Sequence, residues 1–181
     1  MIDITIIEEC RKGDFTNFRI IVSEVSPYAY SVAFRMTGSE DEAREIVQDT
    51  MVTIWQKIER IKSPEAFRTW LYRIVINKCY DYLRSKKRNP EQRMSDADWG
   101  LLSSKLGTAG ETALEQEETA ALINSLSSRL SPKQKAVFIL CDLEDMPYEE
   151  AAVITGVSSR NIKANLHYAR KKMSEMLEKY L

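Results

Sequence analysis

One histidine, His167, and three scattered cysteines, Cys10, Cys79 and Cys141, are all that 181 residues offer a transition metal. No CxxC pair is present and no His/Cys group has ligand spacing, so no metal site is expected, and the thiols read as those of a reduced, cytoplasmic protein. No apolar run approaches the ~20 residues that a membrane span needs. The N-terminal "MIDITIIEECRKG" has acids where a secretory leader has bases, so neither a signal peptide nor membrane insertion is expected. There is no Gly-rich phosphate loop, no HExxH and no nucleophile elbow, so neither catalysis nor a cofactor is expected. Charge of neither sign dominates: 29% of residues are charged and the net charge is −1. Any nucleic-acid surface must therefore come from local clustering. Strand signals are also scarce. Period-two alternation is weak, and no Asn-Gly or Asp-Gly hairpin turn occurs.

What is present is the punctuation of helices. Asp3 and Asp14 stand where helices would begin, and Gly13 where the first would end. Ser26-Pro27 pairs a cap residue with a proline at a first helical position, which predicts a new helix there, closed by Gly38. "SEDE" at 39–42 and "SPKQ" at 131–134 are capping boxes, and Ser63-Pro64 opens a long helix. Residues 89–112, with their Pro, Gly and Ser and their weak periodicity, read as a linker in which Trp99, Leu101 and Leu102 are unusually apolar. The expectation is an all-α chain of two small helical domains, 1–88 and 113–181, joined by 89–112.

Three stretches carry more than core. A short helix from Pro147, the turn Thr155-Gly156-Val157 and a long helix capped by Ser158 have the outline of a helix-turn-helix. The last helix has an apolar seam of Ile162, Leu166, Ala169, Met173, Met176 and Tyr180. Its other side presents Arg160, Asn161, Lys163, Ala164, His167, Arg170, Lys171 and Lys172. Arg, Lys and Asn reach base edges in a major groove, small residues permit close approach, and further cations meet phosphates. A solvated amphipathic helix would look the same.

The helix from Glu40 to Ile58 exposes Asp41, Glu45, Gln48, Asp49, Val52 and Trp55. Apolar groups set among acids suit a basic, partly apolar protein partner, or else Trp55 packs within its own domain. The segment "FRTWLYRIVINKCYDYLRSKKR", from Phe67 to Arg88, is apolar around most of its circumference. One wedge nonetheless holds Trp70, Arg73, Asn77, Tyr80 and Arg84 and runs into Lys86, Lys87 and Arg88. Aromatic faces stack on unpaired bases and guanidiniums follow a phosphate backbone; the bland alternative is a core Trp beside solvated arginines.

"AREIVQDTMVTIW", "FRTWLYRIVINKCYDYLRSKKR" and "YEEAAVITGVSSRNIKANLHYARKKM", in that order, resemble the bacterial sigma factors of the extracytoplasmic-function group, over nearly the whole chain. The matching positions are Gln48-Asp49; Trp70-Leu71, Asn77 and Asp81; and Glu150-Ala151, Gly156-Val157, Lys163 and Ala169-Arg170. The last helix departs from the usual Gly-Thr-Val-Lys-Ser-Arg, reading Arg160-Asn161-Ile162-Lys163-Ala164-Asn165, so a borrowed base preference does not carry over. The resemblance implies a non-catalytic subunit that binds core RNA polymerase, directs it to promoter DNA and helps to open it, with an anti-sigma factor as a further partner. It implies that the acidic Trp-bearing helix meets polymerase. The wedge would handle the melted minus-ten element, and the last helix would read the minus-thirty-five element. A linker of about 24 residues reaches at most ~80 Å, enough for elements about two helical turns, ~70 Å, apart. A stand-alone helix-turn-helix regulator and a helical adaptor without DNA remain rival readings.

Overall fold

Short polar side chains that accept from free N–H groups set where the helices begin. In the computed structural model, which describes residues 3–61, 63–88, 125–127 and 129–178, Asp3 accepts from the Thr5 N–H and opens α1 (Ile4–Arg11). Asp14 accepts from the Asn17 side chain and from the Thr16 and Asn17 N–H groups, which opens α2 (Phe15–Thr37) and holds its carboxyl below the usual range. Ser39 caps α3 (Glu40–Lys57). A 3-10 turn over Ile58–Arg60 follows, and Ser63 accepts from the Ala66 N–H at the start of α4 (Pro64–Arg88). Beyond the undescribed stretch, Ser131 and Gln134 bond reciprocally and open α5 (Pro132–Phe138), which widens into a π turn over Ile139–Leu143. Then come α6 (Tyr148–Thr155) and α7 (Ser159–Leu177). Gly38 and Gly156 close α2 and α6 at φ 70° and 67°, where a side chain would be strained.

One expected boundary is absent. Ser26-Pro27 does not start a helix: α2 runs through it as a single 23-residue element. Pro27 sits on the exposed side and has no N–H to give the Ser23 carbonyl. The buried stripe Phe18, Ile21, Val25, Ala29, Val32 and Met36 continues unbroken past it. Packing along that stripe outweighs the local signal, as tertiary burial does for most helices. The linker 89–112 lies outside the described residues.

α1 to α4 pack as one layered bundle, and α5 to α7 form the helix-turn-helix unit behind Ala136, Val137, Leu140, Ile154, Ile162 and Leu166. The two are not separate in space. α4 packs against α6 and α5 as well as against α2 and α3, and the buried cluster runs continuously through both units.

This accounts for the apolar girth of α4. At about 100° per residue the helix divides into three sectors. Phe67, Leu71 and Val75 face the first bundle, and Lys78 on that side pairs with Asp49 of α3 at 3.2 Å. Thr69, Tyr72, Ile76 and Cys79 form the next sector, which meets the second unit: the Thr69 hydroxyl donates to Glu150 of α6 at 2.9 Å and the Tyr72 hydroxyl to Glu144 at 3.1 Å. The polar wedge is what remains.

Candidate nucleic-acid and protein interfaces

On α4 the wedge of Trp70, Arg73, Asn77, Tyr80 and Arg84 spans about 80° of the helix. Arg73, Asn77 and Arg84 are exposed, while Trp70 and Tyr80 are half-buried. Trp70 lies against Phe67, ring centres 6.4 Å apart at 55°, so it is partly core and partly surface. Among the described residues the enclosed Tyr80 hydroxyl has no hydrogen-bond partner, and burial pushes its phenol up. Arg84 is only loosely matched by Asp81, at 3.7 Å. Lys86 lies over the Tyr82 ring at 5.7 Å. Lys87 and Arg88 end α4, and their side chains lie outside the described residues.

On α7, Ile162, Leu166 and Ala169 are buried at 0%, 2% and 0% exposure, which fixes the rotation of the helix. Arg160, Asn161, Lys163, Ala164, His167, Arg170, Lys171 and Lys172 are all exposed as a result. They are not equally free. Arg170 makes a bidentate pair with Asp142, at 2.9 and 2.5 Å, which raises its guanidinium further and ties α7 to the π turn. Lys171 has a long contact with Glu175 at 3.8 Å. The Asn161 carbonyl accepts from the Asn165 amide. Among the described residues Arg160, Lys163 and Lys172 have no carboxylate partner, and they are the cations left for an external anion.

On α3, Asp41, Glu45, Gln48, Asp49 and Val52 are exposed and Trp55 is half-buried. They do not act as one face. Val52, Gln48 and Trp55 turn toward α2 and line an apolar groove of about 710 Å³, whose other wall is Phe15, Phe18, Val22, Pro27 and Tyr30. Asp49, bound to Lys78, turns toward α4. Trp55 packs within its own unit, on Phe15 at 5.4 Å and Phe18 at 4.8 Å, and also forms groove wall. The α2 wall went unseen in the sequence. Its one available signal was Phe15, a large aromatic at the first turn of a helix, which is 61% exposed.

Comparison with known proteins matches these parts in order. Sigma-70 region 2 matches residues 21–89, and Sigma-70, region 4 matches residues 120–173. The ECF RNA polymerase sigma factor SigW of Bacillus subtilis is 25% identical over 176 residues, covering 94% of this chain and 94% of that protein. The RNA polymerase sigma factor SigV of the same organism is 28% identical over 150 residues, covering 83% and 84%. The ECF RNA polymerase sigma factor SigE of Mycolicibacterium smegmatis is 25% identical over 160 residues, 88% of this chain and 61% of that longer protein. Among solved structures, CnrH in complex with the cytosolic domain of CnrY shares the fold, with a TM-score of 0.70 at 23% identity over 96% of both chains. The sigma factor RpoE of Bartonella quintana, in complex with the anti-sigma factor NepR, gives 0.66 at 21% identity over 90% and 97%. With both regions present in sequence order, and with relatives of matching length, the chain belongs to the sigma-70 family as an RNA polymerase sigma factor of the extracytoplasmic-function group.

Proposed function

We propose that this sigma factor seats core RNA polymerase on the α2–α3 groove, with Glu45, Gln48, Val52 and Trp55 in the contact and Asp41 and Asp49 at its acidic margin. The exposed wedge of α4 then takes the minus-ten element as single strand, and the outward face of α7 reads the minus-thirty-five element. The protein works by binding alone, in the cytoplasm where polymerase is, and the bond chemistry belongs to polymerase. Among the described residues no helix is long and apolar enough to cross a membrane. The observation that carries the reading is the separation of surfaces on one small bundle. An apolar groove between α2 and α3 and a cationic, aromatic wedge on α4 lie on different faces, so polymerase and DNA can be held together. A stand-alone regulator has a use for α7 but none for the groove. An anti-sigma factor is a further partner, since two neighbours of the same fold are described bound to such proteins or to a cytosolic domain.

The test is reconstitution. The chain should co-purify with core polymerase, and the pair should make run-off transcripts from a promoter that core polymerase alone ignores. Transcription that persists after charge reversal at Glu45 and Val52→Glu together would move the polymerase contact elsewhere.

A further inference from the structure

The contact between the two units continues the buried cluster along α4, with side-chain hydrogen bonds beside it and one buried lysine. Glu144, which follows the π turn, is the hub. It accepts from the Arg35 guanidinium of α2 at 2.7 Å and from the Tyr72 hydroxyl of α4 at 3.1 Å. Glu150 accepts from Thr69 at 2.9 Å. Arg35, Thr69 and Tyr72 belong to the first unit, Glu144 and Glu150 to the second. On α5, facing α4, stands Lys135, which among the described residues is the one buried lysine, 7% exposed and without a carboxylate partner. Its ammonium is near enough to Cys79 of α4, which is fully buried, for the two to interact electrostatically. Burial pulls Lys135 down to about 8, and burial pushes the Cys79 thiol up to about 12. A methylene-rich side chain with an apolar end would fit such a place without loss. A lysine there desolvates a charge each time the units meet.

The closed contact also limits reach. Thr69 and Glu150 touch. From Glu150 to Arg160 the chain covers one helical stretch and a short turn, at most about 25 Å, and Asn77 is about 12 Å along α4 from Thr69. With the two contacting backbones about 8 Å apart, Asn77 and Arg160 are held within about 45 Å, well short of the ~70 Å between elements two helical turns apart.

We propose that the Glu144–Arg35–Tyr72 and Glu150–Thr69 contacts are an intramolecular latch that holds the two DNA-reading units together in the free protein, and that Lys135 is placed to keep this latch weak. Glutamate acceptors supply direction and specificity. The lysine, stranded between the units, regains water when they part. The closed form is therefore favoured only by a margin, and partners that bind the spread form can open it. The consequence for promoters rests on the assignments proposed above; the latch itself does not, and it is tested without polymerase or DNA.

Cys79 is the reporter, because it lies in the sector of α4 that the second unit covers. The full chain is treated with iodoacetamide under native conditions, and alkylation at each cysteine is followed by peptide mass spectrometry. Cys10, buried in the first unit, and Cys141, in the second, report unfolding. Glu144→Gln should speed Cys79 alkylation by about tenfold while Cys10 keeps its rate, as expected for a shifted opening equilibrium. Lys135→Met should do the opposite and slow Cys79 by a similar factor. Because Lys135→Met also removes a positive charge beside the Cys79 thiol, its rate is followed across pH: a tighter contact slows alkylation at every pH, whereas loss of the charge alone only shifts the pH profile upward. Cys79 protection that is unchanged or reduced in Lys135→Met would overturn the proposal, as would an unchanged Cys79 in a folded Glu144→Gln.

Discussion

Lys78 of α4 reaches Asp49 of α3 at 3.2 Å, an ion pair inside the first unit that borders the groove without lining it. Asp49 matches a family position expected to face polymerase, yet its carboxylate is already engaged. The two roles separate by mutation. Asp49→Lys sets like charges together, which at this exposure costs less than about 1 kcal/mol, so the melting temperature should fall by only a few degrees. Val52→Glu leaves that pair alone and puts a charge in an apolar groove. It should abolish co-purification with core polymerase at unchanged melting temperature, while Asp49→Lys should reduce it only modestly. Equal loss from both variants would place Asp49 in the contact itself.

On α7 the cations fall into three groups. Arg160→Ala should alter which upstream sequences are used, at roughly 1–3 kcal/mol per lost base contact. Lys172→Ala should weaken all promoters alike and lower the salt slope by about one. Arg170→Ala should do neither. With its guanidinium locked to Asp142, its loss frees α7 from the π turn and should appear as a lower melting temperature. Promoter titrations across a salt series, beside thermal denaturation, sort the three.

Much of this was legible in the sequence because it is local. Asp3, Asp14, Ser39 and Ser131 act on N–H groups two or three residues away, and the exposed face of α7 follows from the spacing of Ile162, Leu166 and Ala169. What was hidden depends on partners far along the chain. Ser26-Pro27 carries a true start signal that a buried stripe on both sides overrides. The girth of α4 said that the helix is enclosed, but not that a second unit covers its Tyr72–Ile76 side. Glu144 and Lys135 look like surface residues until the units are brought together, and the groove needs the α2 wall that only the packing supplies.

Pro27 offers a check on that override. Pro27→Ala restores an N–H opposite the Ser23 carbonyl and relieves the clash of a mid-helix ring, so the first unit should gain about 1–3 kcal/mol. Thermal or urea denaturation measures this directly. A destabilised Pro27→Ala would mean that the proline ring packs in the groove wall more than it strains the helix.

The wedge of α4 should act on separated strands. Asn77 is exposed, makes no bond within the protein among the described residues and stands between Arg73 and Arg84 on the same side. Its amide can meet the edge of an unpaired base, and the guanidiniums follow the backbone that carries it. Asn77→Ala should therefore leave folding and polymerase binding intact while reducing open-complex formation, read by permanganate attack on unpaired thymines. A premelted promoter should restore it, because strand separation, whose cost binding of the first flipped base offsets, is then already done. Trp70 is harder to read, since its contact with Phe67 makes it part of the core. Trp70→Ala opens a cavity and lowers stability whatever its role. Trp70→Leu keeps most of the packing but removes the flat ring, and Trp70→Phe keeps both in smaller form. If Trp70 stacks on a base, Trp70→Phe should open promoters better than Trp70→Leu at equal melting temperature, by the ~1–3 kcal/mol that one base–aromatic stack contributes. Equal activity of the two at equal stability would return Trp70 to the core and leave Asn77 and the arginines as the single-strand surface.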